Sequence, residues 1–286
     1  MAKFLITGVG GPAGRSVAAL LHERRQAVVG TDVQALPPQA YPVYQVPPAG
    51  DPGLLPAIQA LAAREQVDVI IPTVSEELPV FARDWRWEQP VWVSPSHAVE
   101  TANDKYLTAR ALSAAGVAVP RFALPSEVHS SEEVAERIGW PCISKPRVGR
   151  GGREVTWHPL EDWPAVAMLS DHYILQEFAD GVDYAPNVFI GPAGMEVAVV
   201  LEKTELKEGR VGNATRVQRV DDAPDVAALA LAAARAVGLA GPLDIDIRRR
   251  ADGQPVVLEI NARFGANIRY AQEVLDAALK ALMVPS

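Results

Sequence analysis

The sequence predicts an α/β N-terminal region followed by an α+β region. Three observations carry that expectation. Over the first hundred residues short apolar runs alternate with helical patterns, as in a parallel sheet wrapped by helices. Near Ser94-Pro95-Ser96 the texture changes. Beyond it the apolar runs are extended and bounded by Gly, Pro or Asp, which reads as antiparallel sheet. A chain of 286 residues fits two or three compact lobes.

Taken in order, residues 3–7 read as a strand, 14–23 as a helix and 27–31 as a second strand. Residues 35–52 are Pro-rich and read as a long surface connection. A helix is expected over 54–64, a strand over 67–72 and another over 91–94. Residues 103–115 read as one helix ending at Gly116, a good C-terminal cap. Extended runs follow at 142–145, 173–178, 184–190, 196–201, 243–248 and 256–261. Helices are expected over the Ala-rich stretch 225–237 and over 269–283.

Apolar residues make up 49% and charged residues 22%, and the net charge is −8. That balance argues against a general nucleic-acid or anionic-membrane binder. The single cysteine, Cys142, excludes a disulfide within the chain and reads as a small buried hydrophobe in "WPCIS". The N-terminus "MAKFLITG" has no signal-peptide pattern, and no run approaches the roughly 18 apolar residues of a membrane span. A cytoplasmic protein is expected.

Thr7-Gly8-Val9-Gly10-Gly11-Pro12-Ala13-Gly14 parses as T-G-x-x-G-x-x-G between a strand and a helix, where helix amides can meet an anion. With Asp32 after the second strand, it admits a dinucleotide reading and an NAD(P)-dependent oxidoreductase. The Tyr-x-x-x-Lys pair of short-chain oxidoreductases is missing; Tyr106 with Arg110 comes nearest. The other reading is a structural or substrate-facing turn.

Further along, "LDIDIR" supplies Asp244 and Asp246, and "VLEINARFG" supplies Glu259, Asn261 and Arg263. Alternation on a strand puts each set on one face, and Asp252-Gly253 is a hairpin signal that pairs the strands. Crowded carboxylates need a cation, and oxygen ligands of this kind suit Mg²⁺. A solvated polar sheet face with Arg248 and Arg263 as counter-charges is the other reading. "CISKPRVGRGGREV" places Lys145 at a strand end and Gly149, Gly151 and Gly152 in a loop able to approach phosphates, or in a plain surface turn. "ILQEFADGVDY" ends a strand at Gln176-Glu177-Phe178, with Asp183 after a turn. The five histidines are scattered, and no Ser-His-Asp or Cys-His set stands out.

In this order, Lys105 in "NDKY", Lys145 in "SKP", the Gly149–Gly152 loop, "QEF", Asp183, Asp246 and Glu259-x-Asn261-x-Arg263 resemble the ATP-grasp superfamily. The branch they look most like holds carbamoyl-phosphate synthase large-subunit halves and carboxylate–amine ligases. The resemblance covers nearly the whole chain and is specific as a set, while each piece is loose. It implies a Rossmann-like pre-ATP-grasp domain over 1–98 and a two-lobed ATP-grasp domain over 99–286. The lid subdomain would span about 120–178 and the C-terminal lobe about 179–286.

By the same resemblance Lys105, Lys145 and Arg147 hold ATP phosphates, and Gly149, Gly151 and Gly152 form a lid. Gln176, Glu177 and Phe178 read adenine, and Asp183 takes the ribose. Asp246, Glu259 and Asn261 ligate Mg²⁺ or Mn²⁺, and Arg263 with Lys145 serves catalysis. Two departures are Asp246, where the branch often has Glu or Gln, and Gln176, where Glu is common. The implied reaction is ADP-forming ligation of a small-molecule carboxylate to an amine through an acyl phosphate. A non-catalytic ATP-binding module is the alternative. Gly10, Gly11, Ser75, Glu76, Arg210 and Asn267 are the candidate substrate positions. Ser75 and Glu76 also read as a helix cap and first turn, and Lys203, Lys207, Arg210 and Arg216 as a mostly solvated basic hairpin. No nucleic-acid or membrane partner is expected. A homodimer is compatible with the resemblance, and the sequence does not fix the oligomeric state.

Overall fold

A computed structural model describes residues 2–83, 86–149, 151–206 and 214–282. The N-terminal sheet holds β1 (Lys3–Ile6), β2 (Ala27–Asp32), β3 (Val43–Gln45) and β4 (Val69–Ile71) in the order β3-β2-β1-β4, all parallel. Both faces of β1 are buried, as a parallel sheet requires. Phe4 and Ile6 pack with α1 (Pro12–Glu23) and, from the far end of the chain, with Phe264, Val274 and Leu275. Leu5 points the other way, to Leu54 and Ile58 of α2 (Leu54–Arg64) and Phe81 of α3 (Leu78–Phe81).

The glycine turn is fixed by close packing. Gly8 sits at φ +61°, and a Cβ built there would lie 2.3 Å from Val74 Cγ2. A Cβ on Gly14 would lie 2.4 Å from the Gly8 carbonyl oxygen, a backbone atom that cannot swing aside. Gly14→Ala is therefore expected to cost about 1–3 kcal/mol through overpacking. Urea denaturation reads this as a lower midpoint at unchanged slope.

Residues 91–94 make only a single parallel bridge, Ile70 to Val91, where a strand is expected. Pro90 and Pro95 flank them and lack the N–H that would extend a ladder. The long connection contains β3, whose Val43 pairs with Gly30. The helix expected over 103–115 is two helices, α4 (Ser96–Asn103) and α5 (Lys105–Ala114). Asp104 breaks them and caps α5, accepting from the Tyr106 and Leu107 amides. Gly116 follows at φ +72°, as a C-terminal cap requires.

A small antiparallel sheet comes next: β5 (Phe122–Ala123), β6 (Cys142–Pro146), β7 (Thr156–His158) and β8 (Tyr173–Glu177), in the order β5-β8-β6-β7. One face packs under α6 (Ser131–Arg137) and α7 (Trp163–Val166), with Cys142 and Leu175 in its core. Burial pushes the Cys142 thiol up to about 12, so it is an inert hydrophobe at neutral pH. The opposite face carries Ile143, Lys145 and Gln176.

The large sheet contains β9 (Asp183–Tyr184), β10 (Asn187–Ile190), β11 (Glu196–Val199), β12 (Leu201–Leu206), β13 (Ala214–Arg219), β14 (Gly241–Arg249) and β15 (Pro255–Asn261). The order is β11-β10-β14-β9-β12-β13, with β15 paired to β14. The run expected over 184–190 is split by Pro186, and β12 takes up after β11 at Leu201. On one face α8 (Pro224–Val237) packs with α4 and α5 residues over Leu243, Ile245 and Ile260. Toward the other side α9 (Gln272–Ala281) joins β10 and β11 to the N-terminal core. Among the described residues no helix is long and apolar enough to cross a membrane.

Candidate active site

The small and large sheets face each other across an open cleft lined by residues of both, among them Lys145 and Gln176 on one side and Lys203 and Asp246 on the other. Alternation on β6 and β8 turns Lys145 and Gln176 into it. Ladder irregularities aim the opposite wall. On β15, Glu259 pairs with Asp246 and Val257 with Ile247, so Leu258 is an extra residue, a β-bulge. Its carbonyl accepts from Lys145 Nζ at 3.0 Å. On β12 the register also slips between Lys203 and Glu205. Asp244 pairs with Asn261 and Asp246 with Glu259, the alignment expected from the hairpin signal.

Three lysines converge here with three carboxylates. Lys105, the first residue of α5, donates to the Gly149 carbonyl at 2.9 Å and stands 3.3 Å from Glu259 Oε2. Lys203 Nζ lies 2.5 Å from Asp246 Oδ1 and 3.1 Å from Asp183 Oδ1. Burial pulls the Lys145 ammonium down to about 8, against the pull of Glu259. Burial also disfavours the Lys203 ammonium, but Asp246 and Asp183 outweigh it and hold its pKa above the usual lysine range. Within the carboxylate pair, burial raises Asp246 despite Lys203. It would raise Glu259 too, but Lys105 and Lys145 hold Glu259 low. One carboxyl of the pair thus keeps its proton more readily than the other.

The donors fit Mg²⁺ in its phosphate-bridging mode. Asp246 and Glu259 are paired oxygen ligands, and Asn261 follows on β15. Mg²⁺ commonly takes one or two carboxylates together with substrate phosphates. Among the described residues no group of three or more His, Cys, Asp or Glu gathers as a self-sufficient metal cage. At the other end of the cleft Phe178 lies under Arg248, 4.9 Å from guanidinium carbon to ring centre. Gln176 is buried there, and its Nε2 has no hydrogen-bond partner among the described residues. It is an open donor on the wall.

Lys105, Lys145, Gly149, Gly151, Gly152, Gln176, Glu177, Phe178, Asp183, Asp246 and Glu259 all border this cleft. Ser75 and Asn261 border a smaller adjoining cavity with Lys105, Gly149 and Glu259. The remaining candidates lie elsewhere. Arg147 turns its guanidinium onto Asp104, 2.6 Å at the closest, and onto the Asp171 carbonyl. It braces the α5 cap and lines a separate depression that Glu76 also borders. The Glu177 carboxylate is likewise occupied, by Arg250 and Arg121. Arg263 is pinned by Ser75, Asp244, Asn261 and the Phe264 carbonyl, one step from the cleft. Ser75 therefore does not cap a helix; α3 starts after Glu77.

Gly10 and Gly11 do not face the cleft with open amides. Gly10 donates to Asp32 at 2.9 Å and Gly11 to the Gly8 carbonyl at 2.9 Å. Asn267 opens a short 3₁₀ turn near α1, where Ser16 bonds the Ala266 carbonyl. Arg210 and Lys207 lie outside the described residues. A Ser-His-Asp cluster that the sequence did not suggest does form: Ser144 Oγ is 2.7 Å from His158 Nε2, and His158 Nδ1 is 3.4 Å from Asp162. Ser144 and His158 are buried on the Cys142 face of the small sheet, away from the cleft.

Sequence reasoning grouped Lys203 with a solvated hairpin. The signal it passed over is period-two alternation: Lys203 stands two residues after the fully buried Leu201, on the same inward face.

Comparison with known proteins identifies the family and the fold. A family model described as an ATP-grasp domain matches residues 102–267. The large chain of carbamoyl phosphate synthase from Beutenbergia cavernae is 32% identical over 103 residues, 36% of this chain. The match spans 9% of that relative's length. Among solved structures, N5-carboxyaminoimidazole synthetase from Staphylococcus aureus, complexed with ADP, superposes at a TM-score of 0.76 with 17% identity. That alignment covers 100% of this chain and 78% of the other. An L-amino acid ligase from Bacillus licheniformis superposes at 0.73 with 17% identity, covering 98% and 74%.

Proposed function

Because the chain belongs to the ATP-grasp family, we propose that it is an ATP-dependent, ADP-forming ligase joining a carboxylate to an amine through an acyl phosphate. The observation that carries this reading is the convergence of Lys105, Lys145 and Lys203 with the Asp246–Glu259 pair between two sheets. Amide formation from a carboxylate in water is uphill, and phosphorylating the carboxylate supplies a leaving group. The cleft offers fixed cations around a polyphosphate, and the glycine loop beside it is placed to cover them and exclude water.

In this reading Lys105 and Lys145 hold the phosphates. Gly149, Gly151 and Gly152 fold over them, the last two in left-handed backbone that favours glycine. Gln176 and Phe178 border the adenine, and Asp183 takes a ribose hydroxyl. Asp246, Glu259 and Asn261 would hold Mg²⁺, which neutralises charge on the transferring phosphoryl oxygens. Arg263 orients Asn261 and Asp244 rather than touching phosphate, and the Ser75 cavity admits the small acid. Residues 1–98 serve as a Rossmann-like pre-ATP-grasp domain, and 99–286 as the ATP-grasp domain of a cytoplasmic enzyme.

Thermal unfolding with Mg·ATP, Mg·ADP, NAD⁺ and NADP⁺ tests the reading. Ligand at about 100 times its Kd adds ~2.7 kcal/mol, a Tm rise of roughly 5 °C or more. That rise is expected with the adenine nucleotides. Stabilisation by the nicotinamides alone would overturn the proposal. ADP release across carboxylate–amine pairs then separates a ligase from a nucleotide-binding module.

A further inference from the structure

Lys203 does more than line the cleft. Its ammonium sits 2.5 Å from Asp246 Oδ1, an oxygen assigned above to metal binding, and 3.1 Å from Asp183 Oδ1. The Lys203 and Asp183 side chains are each 9% exposed, so solvent screens little of this contact. The other carboxylate, Glu259, already has Lys105 at 3.3 Å. In formal charge Lys105, Lys145 and Lys203 balance Asp183, Asp246 and Glu259, and Arg153 and Arg248 against Glu177 on the same lining tip the cleft positive. Nothing in that balance attracts a bare dication, and a second cation at Asp246 would meet Lys203 at close range, where like charges repel strongly.

We infer that Lys203 keeps free divalent metal off Asp246 until a nucleotide arrives, so that metal enters only with the polyphosphate. This inference rests on the nucleotide reading above. A polyphosphate tips the local charge negative, and Lys203 can then give up Asp246. Its ion pair with Asp183, whose Oδ1 has no hydrogen-bond partner among the described residues, makes that exchange cheap, because the released ammonium keeps a buried counter-charge. Alternation along β12 from the buried Leu201 turns the side chain toward the two acids.

Mn²⁺ titration followed by electron paramagnetic resonance, without nucleotide and then with ADP, tests the inference. Wild type is expected to leave Mn²⁺ free without nucleotide and to bind it with ADP. Lys203→Met should bind Mn²⁺ alone at least about tenfold more tightly, because the competing cation is gone. Lys203→Arg, which keeps the charge, should behave as wild type. A lysine with only a structural role would not tighten metal binding when removed. If circular dichroism shows Lys203→Met unfolded, Lys203→Met/Asp183→Asn replaces it with the same expectation, since it removes one uncompensated carboxylate. A folded variant that binds Mn²⁺ no tighter than wild type overturns the inference. So does wild type that binds Mn²⁺ equally well with and without ADP while a nucleotide-release assay shows ADP bound. If wild type binds no ADP at all, the nucleotide reading fails, and the Mn²⁺-only comparison still decides the role of Lys203.

Discussion

Glu259→Gln is expected to lower turnover about 10²–10³-fold, the scale seen when one preorganised electrostatic group is lost at a developing charge. The substitution keeps shape and removes only the charge. Glu259 is the carboxylate that stays ionised, because Lys105 and Lys145 together overcome its burial. The neutral amide leaves both ammonium groups without their counter-charge, and breaking a buried pair this way costs about 3–5 kcal/mol of stability. Binding should split from turnover. ADP without metal should bind at least as well as to wild type, since two lysines gain freedom to meet phosphate. The extra affinity that Mg²⁺ gives should disappear. Calorimetric titration with and without Mg²⁺, alongside ADP release, reads both. Near-normal turnover in a folded Glu259→Gln protein would remove Glu259 from the metal assignment.

The parts of this site that were legible in the sequence are those that period and turn chemistry control. Asp244, Asp246, Glu259 and Asn261 were expected on one face because strand side chains alternate and Asp252-Gly253 sets the hairpin; the observed pairs are Asp244–Asn261 and Asp246–Glu259. What was not legible depends on contacts across long sequence separations. Arg147 looked like a phosphate ligand beside Lys145, but its neighbour in space is Asp104, 43 positions earlier. The amides of Gly10 and Gly11 looked open, but an acid one helix and one strand further along the chain, Asp32, takes one of them. Bulges are the other blind spot. The extra residue at Leu258 frees a carbonyl for Lys145, and no local propensity marks it. The helix break was legible in principle and was passed over: Asp favours caps over helix interiors, and Asp104 accepts from the Tyr106 and Leu107 amides while Arg147 holds its carboxylate.

Lys145→Met is expected to separate affinity from stability in opposite directions. In wild type, burial lowers the Lys145 pKa from 10.5 to about 8, so the free protein holds an ammonium in a site that disfavours it. Between pH 8 and 10.5 the unfolded chain then binds more protons than the folded one, and stability rises with pH across that window. Methionine fills similar volume without charge, so the variant should lose that slope. At pH 7 it should be no less stable than wild type, since the surroundings on balance disfavour the ammonium and Glu259 keeps Lys105 as a partner at 3.3 Å. Nucleotide affinity should fall about 10- to 100-fold, the worth of a hydrogen bond to a charged group. Wild-type affinity should itself weaken as pH rises through about 8, while Lys145→Met stays weak and flat with pH. Urea midpoints and ADP titrations from pH 6 to about 9.5 check all of this. A variant that loses stability and affinity together would mean that Lys145 holds the Leu258 bulge in place rather than waiting for phosphate. That outcome would shift the phosphate-binding assignment onto Lys105.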